Sequence, residues 1–218
     1  VLASLTTTMG MVMGKINEEM PAFTVLHKAV SYEVRKYGPS VVAECSYDWE
    51  ASDGGSPFGV LARYIGVFGT AQNGQKGASV PIAMTAPVLV TPPASQKIAM
   101  TAPVLVTPSR SGSSTMCFIL PGSKYTTVEQ APTPTDPRVT LRELPERVQA
   151  VRTFTWSFKA EAAKSQLQLL LADLAKDEWT VVKRADGEAE WQAAGYNPPF
   201  TLPFLKRNEV LVSVRPKA

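Results

Sequence analysis

A chain of 218 residues is long enough to bury a substantial core, as one large domain or two small ones. With 44% apolar and 19% charged residues it is not a disordered chain. Its 22 basic and 19 acidic side chains are scattered, so a formal charge of +3 and a pI near 8.9 exclude a concentrated nucleic-acid footprint. No run approaches the ~18 apolar residues that a spanning helix needs. Cys45 and Cys117 are too few for a disulfide framework and have no His or Cys neighbour at metal-ligand spacing, so both are expected as buried thiols.

Val1 to Thr8 is small, hydroxylated and free of acid, which suits either the remnant of a cleaved transit peptide or a mere boundary of the chain. The expected compartment is the cytoplasm, with the plastid as the alternative. Residues 1–22 are taken as an N-terminal extension and 23–218 as one domain. Thr24 to Tyr47 reads as paired strands around the turn at Gly38-Pro39. Ser56-Pro57 then offers a hydroxyl N-cap and a proline at the first helical position. Phe58, Leu61, Ala62, Ile65 and Phe68 follow at helical spacing, with Gly69 as the expected stop.

Ile82 to Pro92 reads IAMTAPVLVTP, and Ile98 to Pro108 repeats the same residues sixteen positions on. Two copies fall short of the roughly three repeats that a solenoid needs, so a tandem duplication extending a loop or hairpin is the simpler account. Pro87 and Pro103 cannot donate to a ladder, which predicts that each copy is an edge or bulged strand. Met116 to Leu120 reads as a short buried strand, and the prolines of residues 122–137 mark an irregular connector.

After the connector the first half's pattern recurs. Val139 to Leu144 and Val148 to Trp156 read as strands, and Lys159 to Lys176 as a helix with a stripe of Leu167, Leu170, Leu171 and Leu174. Trp179 to Lys183, Glu190 to Tyr196 and an alternating Val210, Val212, Val214 complete the strands. Two similar halves, each with one helix against a mostly antiparallel sheet, predict a single α+β domain with internal pseudo-two-fold symmetry.

Several blocks together resemble the SOUL family of haem-binding proteins. They are Tyr32-Glu-Val-Arg-Lys-Tyr-Gly-Pro39, Leu61-Ala-Arg-Tyr-Ile-Gly66, both copies of Ile-Ala-Met-Thr-Ala-Pro-Val and Met116-Cys-Phe-Ile-Leu-Pro121. Ala131-Pro-Thr-Pro-Thr-Asp136, Gly195-Tyr-Asn-Pro-Pro199 and Arg207-Asn-Glu-Val210 continue the series in the family's order. The duplicated MTAPV segment resembles the plant and algal branch. The resemblance implies a distorted β-barrel of two four-stranded sheets with two helices outside. It also implies non-covalent binding of haem or a related porphyrin in an apolar groove between the first helix and the loop before the last strand.

Carried onto this chain, the groove would lie between Phe58 to Phe68 and Pro198 to Leu205. It would be lined by Phe58, Ala62, Ile65, Phe200, Leu202 and Phe204, with Arg63 and Lys206 as cations for the propionates and Arg207 close by. The loop is unusually apolar for a surface connector, which agrees with that placement. The chain departs from some relatives at Gly55 and Leu202, where they carry rim cations, and at Lys36, where they carry a haem-ligating histidine. The sole histidine, His27, is off the motif, and Met84, Met100 and Cys117 sit in core-like patterns. The expectation is therefore a tetrapyrrole held without a strong axial ligand.

One histidine and scattered carboxylates form no nucleophile, acid–base pair or metal set, so the chain is not read as an enzyme. Any haem-degrading activity would draw its chemistry from the haem. The alternative function is a structural or interaction module with protein partners and no tetrapyrrole.

Overall fold

The computed structural model describes residues 10–47, 55–74, 78–92 and 114–217. Within them the strands are β1 (Phe23–Lys28), β2 (Glu33–Tyr37), β3 (Ser40–Tyr47), β4 (Asn73–Gly74), β5 (Val88–Thr91) and β6 (Ser114–Ile119). They continue as β7 (Thr133–Pro134), β8 (Thr140–Leu144), β9 (Arg147–Phe154), β10 (Trp179–Val181), β11 (Trp191–Gly195) and β12 (Asn208–Pro216). Helix α1 spans Gly55–Ile65 and helix α2 spans Ala160–Leu174, and short 3₁₀ turns lie at Val128–Gln130 and Pro203–Leu205.

All strands except β4 and β7 join one ten-stranded sheet in the order β1-β2-β9-β12-β11-β5-β6-β3-β8, with β10 on the far end of β12. This is an α+β architecture with a large antiparallel sheet. The expectation of two four-stranded sheets closing into a barrel is corrected: the described strands form one sheet, and its ends, β1 and β8, are not paired to each other. The path runs outward from the β11–β5 junction through equivalent strands on either side, β12-β9-β2 and β6-β3-β8. β1 and β10 have no counterparts in that scheme, so the repeat of the two halves is incomplete.

Period-two alternation sends neighbouring residues of each strand to opposite faces. On one face Val34, Val41, Ala43, Val90, Phe118, Val210 and Val212 pack with the buried stripes of both helices. Leu170 and Leu174 of α2 are fully buried there and Leu169 is exposed, as the helical stripe predicts. On the other face Tyr37, Val42, Leu89, Cys117, Ile119, Leu144, Val151 and Leu211 form a second cluster to which neither α1 nor α2 contributes. The sheet buries this face by curling on itself.

Two expectations from the sequence are overturned. β5 is not an edge or bulged strand but lies between β11 and β6, paired to both. Its ladder begins at Val88, so the missing N–H of Pro87 falls just outside it. The second copy, Ile98 to Pro108, lies outside the described residues. Helix α1 ends at Ile65, not at Gly69: Gly66 takes φ +90° and donates to Arg63 O, while Val67 N–H reaches back to Ala62 O at 2.9 Å. That is a Schellman closure, which needs a left-handed residue at this position. Phe68 consequently lies beyond the helix and is exposed.

The curled face holds a buried charge. Glu209 on β12 is completely buried, with Arg35 Nη1 at 3.0 Å and Arg207 Nη2 at 2.7 Å from its Oε1, while Tyr196 donates to its Oε2 at 2.6 Å. Thr153 on β9 donates to the same carboxylate at 3.3 Å. Burial alone pushes the Glu209 carboxyl upward, but Arg35 and Arg207, with hydrogen bonds from Tyr196 and Arg207, outweigh it and hold it below the usual glutamate range. The same burial and the adjacent carboxylate push the Tyr196 phenol upward. The cluster ties β2, β9 and β12 to the end of β11.

Two predictions follow from this packing. Glu209→Gln removes the buried carboxylate shared by Arg35 and Arg207 and leaves Arg35 with Glu33 alone, at 2.9 Å, and the expected loss is about 3 kcal/mol in denaturant titration at neutral pH. Because the folded carboxyl titrates below the unfolded value of about 4.3, the stabilisation is complete above that value and is lost as pH falls through the lower folded one. The variant should accordingly show a shallower acid limb than the parent. Separately, Gly66→Ala forces a left-handed residue and sets a methyl 2.9 Å from Ala71 Cβ. Thermal unfolding should register a loss of about 1–2 kcal/mol or more.

Candidate functional site

Strand β9 ends at Phe154, and the chain then reverses through Trp156, whose φ of +73° is a conformation that bulky residues rarely hold. Trp156 N–H donates to Pro203 O at 2.9 Å, which fixes the strained residue against the loop before β12. Its ring lies 6.4 Å from that of Phe204 at a tilt of 55°. Phe158, two residues on, turns inward so closely over Gly195 that a Cβ there would sit 3.3 Å from the ring. The reversal therefore puts one aromatic inside and one outside.

The loop from Asn197 to Arg207 is tied down along its length. Asn197 Oδ1 accepts Arg207 N–H at 2.7 Å, and Thr201 N–H bonds to Pro198 O at 3.1 Å. Residues 11–14 brace it from beside: Leu202 N–H donates to Val12 O, Thr201 Oγ1 to Met11 O and Asn197 Nδ2 to Gly14 O. Gly14, at φ +81°, approaches so near that a Cβ would lie 2.7 Å from Leu205 O. On this ordered backbone Phe200 is 57% exposed, Phe204 54% and Trp156 61%. An apolar ring left in water forgoes about 1.5–3 kcal/mol of burial, so the paired rings of Trp156 and Phe204, with Phe200 exposed on the same loop as Phe204, form an apolar ledge.

The residues read from the sequence lie on two elements, the loop before β12 and helix α1. Phe200, Leu202, Phe204 and Lys206 share this loop, with Leu202 half-buried and Lys206 Nζ donating to Pro199 O at 3.0 Å. Phe58, Ala62, Arg63 and Ile65 lie on α1, which packs on β3 and β6. Ala62 and Ile65 face the core, 0% and 2% exposed, and Phe58 meets the Phe118 ring edge-on at 5.3 Å. Arg63 is half-buried and lies in the field of Asp136, whose carboxyl is held down to about 2 chiefly by its hydrogen bonds from Arg138. Arg207 is turned inward onto Glu209 and does not serve the rim. Trp156 was not singled out, because its left-handed backbone has no signature in the residue types around it.

The candidate iron ligands among the described residues are engaged elsewhere. His27 Nε2 lies 3.5 Å from Asp177 Oδ2, which also accepts from Tyr32 at 2.5 Å, beside Trp179 in a cleft of about 510 Å³. Lys36 is ion-paired to Glu146 at 2.9 Å at the lip of a second cleft, of about 600 Å³, lined among others by Met20, Phe23, Ser40 and Leu120. A cation held as a donor cannot offer a lone pair to iron. Cys117 is buried, and burial with the nearby Glu44 carboxylate pushes its thiol up to about 12. Met84 packs against the core, and Met100 lies outside the described residues. Among the described residues no three His, Cys, Asp or Glu side chains come together as a metal site, and no helix is long and apolar enough to cross a membrane.

Two of the solved structures that match the chain overlay it to a similar extent. The C-terminal domain of EcmrR matches with a TM-score of 0.55 at 7% identity, covering 86% of this chain and 99% of that one. An uncharacterized conserved protein from Listeria innocua matches with a TM-score of 0.54 at 10% identity, covering 85% and 92%. At such identities the likeness is one of fold. No curated protein sequence matches the chain. The profile described as SOUL heme-binding protein matches in two stretches, residues 18–96 and 92–213, which together take in most of the sequence and the sheet, both helices and the aromatic loop. The chain therefore belongs to the SOUL heme-binding protein family.

Proposed function

We propose that this protein binds a tetrapyrrole non-covalently on the ledge of Trp156, Phe200 and Phe204. The observation that carries the reading is the braced 197–207 loop, which, with Trp156 bonded to it at Pro203, holds these rings in solvent although each would be more stable buried. Family membership supports the ligand class. A porphyrin face suits such a surface because aromatic stacking adds to the apolar area covered. Lys206 supplies a cation for a propionate by leaving the Pro199 carbonyl. Arg63 on α1 serves a second propionate only if the ligand spans from the loop to that helix. The order already imposed on the loop lowers the entropy lost on binding.

A bound haem would supply iron redox and ligand chemistry. This chain's residues bind and orient the macrocycle by its faces and edge, without a protein ligand to the metal. The role is thus binding rather than turnover. A second reading, an interaction module, is favoured by strand β1, an edge strand on which Phe23, Val25 and Leu26 are exposed.

Haemin and metal-free protoporphyrin titrations, followed by Soret absorbance and Trp quenching, test the first reading. Saturable one-to-one binding is expected, with the two affinities within about three-fold, since ligation contributes nothing. Trp156→Ala and Phe204→Ala should each weaken binding about ten-fold. Lys206→Ala should cost about three-fold and flatten the salt dependence. His27→Ala should leave the haemin spectrum unchanged. Non-saturating uptake, indifferent to both ring variants, would sink the ledge and leave the interaction reading.

A further inference from the structure

We infer that the ledge is also a membrane-docking face: Met13, Trp156, Phe200 and Phe204 enter the headgroup layer of an anionic bilayer while Lys15, Lys159 and Lys206 meet its phosphates. Docking requires no bound tetrapyrrole. Three segments that touch one another build the face. Trp156 N–H donates to Pro203 O at 2.9 Å, Leu202 N–H donates to Val12 O at 3.1 Å, and Gly14 packs on Leu205. Met13 stands between the last two contacts and is 60% exposed, much like the three rings. Four large apolar side chains therefore reach solvent from backbone that is pinned in place, which single scattered apolar residues on a surface do not do.

The charge of these segments differs from that of the whole chain. Overall, 22 basic residues stand against 19 acidic ones. Residues 10–17, 154–160 and 197–207 carry Lys15, Lys159, Lys206 and Arg207 and no Asp or Glu. The nearest acids in sequence, Glu18 and Glu161, lie just beyond the ends of these segments. Arg207 is turned inward onto Glu209, which leaves the three lysines. Lys15 and Lys159 are exposed and Lys206 is half-buried. Lys28 and Lys36 pair with Glu33 and Glu146, but these three have no carboxylate partner among the described residues. Lys206 Nζ rests on the Pro199 carbonyl, a bond that a phosphate oxygen can replace.

Apolar side chains and unpaired lysines on one face suit a lipid surface better than a protein or a second copy of the chain. Protein interfaces are depleted in lysine. In a bilayer, Trp and Phe settle where headgroups meet acyl chains, and lysine stems reach from there to phosphate. An anionic leaflet attracts each nearby lysine, and firm peripheral anchoring needs an apolar and a basic signal together. The ledge supplies both, with no need of a spanning helix.

Co-sedimentation of the ligand-free full chain with phosphatidylcholine vesicles, with and without phosphatidylglycerol, tests the docking. The mixed vesicles should bind about ten-fold or more tightly than phosphatidylcholine alone, and added salt should weaken the binding. Lys15→Gln, Lys159→Gln and Lys206→Gln should each weaken it about five-fold, and Phe200→Ala about ten-fold. Lys176, exposed just past the opposite end of α2, serves as the control: Lys176→Gln should leave binding within about two-fold. Acyl chains brominated near the headgroup should quench Trp emission, and Trp156→Phe should remove that quenching without releasing the protein. Equal losses from Lys176→Gln and Lys159→Gln would mean diffuse attraction of a basic chain and would overturn the inference. Equal affinity for both vesicles would overturn it as well. So would a lack of sedimentation with either, which leaves the face to a protein partner. Tetrapyrrole is absent throughout, so failure to dock and failure to bind haemin are separate results.

Discussion

The arrangement depends on a single buried carboxylate. Glu209 sits on the strand that pairs with more neighbours than any other described strand, β9, β10 and β11. Desolvating a charge in that position is tolerable only because Arg35 and Arg207 face it and Tyr196 and Thr153 complete its hydrogen bonds. Those partners come from β2, β9 and the two ends of the loop before β12. These strands are consecutive in the sheet order, so the ion cluster ties one end of the sheet together across β2, β9, β12 and the loop after β11. Arg35 stacks over Phe23 and Arg207 over Tyr196, at 4.5 and 4.4 Å, which covers the guanidinium faces that the carboxylate leaves open.

The cluster also links the fold to the ledge. Arg207 is both a counter-charge to Glu209 and the residue whose N–H closes the loop onto Asn197. One end of the aromatic loop is thereby anchored in the interior, while residues 11–14 brace its middle. The consequence is an apolar surface that cannot collapse onto itself. An unbraced loop carrying Phe200 and Phe204 would fold its rings under, because burial favours that by more than the roughly 1–2 kcal/mol per residue that ordering costs only when several rings are gained at once. Here the backbone's own hydrogen bonds settle the geometry and the rings have nowhere to go.

Much of this was legible in the sequence and some was not, for definite reasons. The leucine stripe of α2 and the alternation of Val210, Val212 and Val214 report burial directly, because one face of each element meets the core. The end of α1 was misplaced by three residues because Gly66 and Gly69 are equivalent in composition; only the approach of Ala71 distinguishes them. The central place of β5 was hidden by Pro87, since a proline marks where a ladder cannot be, and not how close the ladder begins. For the candidate site, the apolar loop was visible as residues without a reason to be exposed. The burial of Ala62 and Ile65 in the core was not, because a helix's apolar face reads the same whether it meets a ligand or the core.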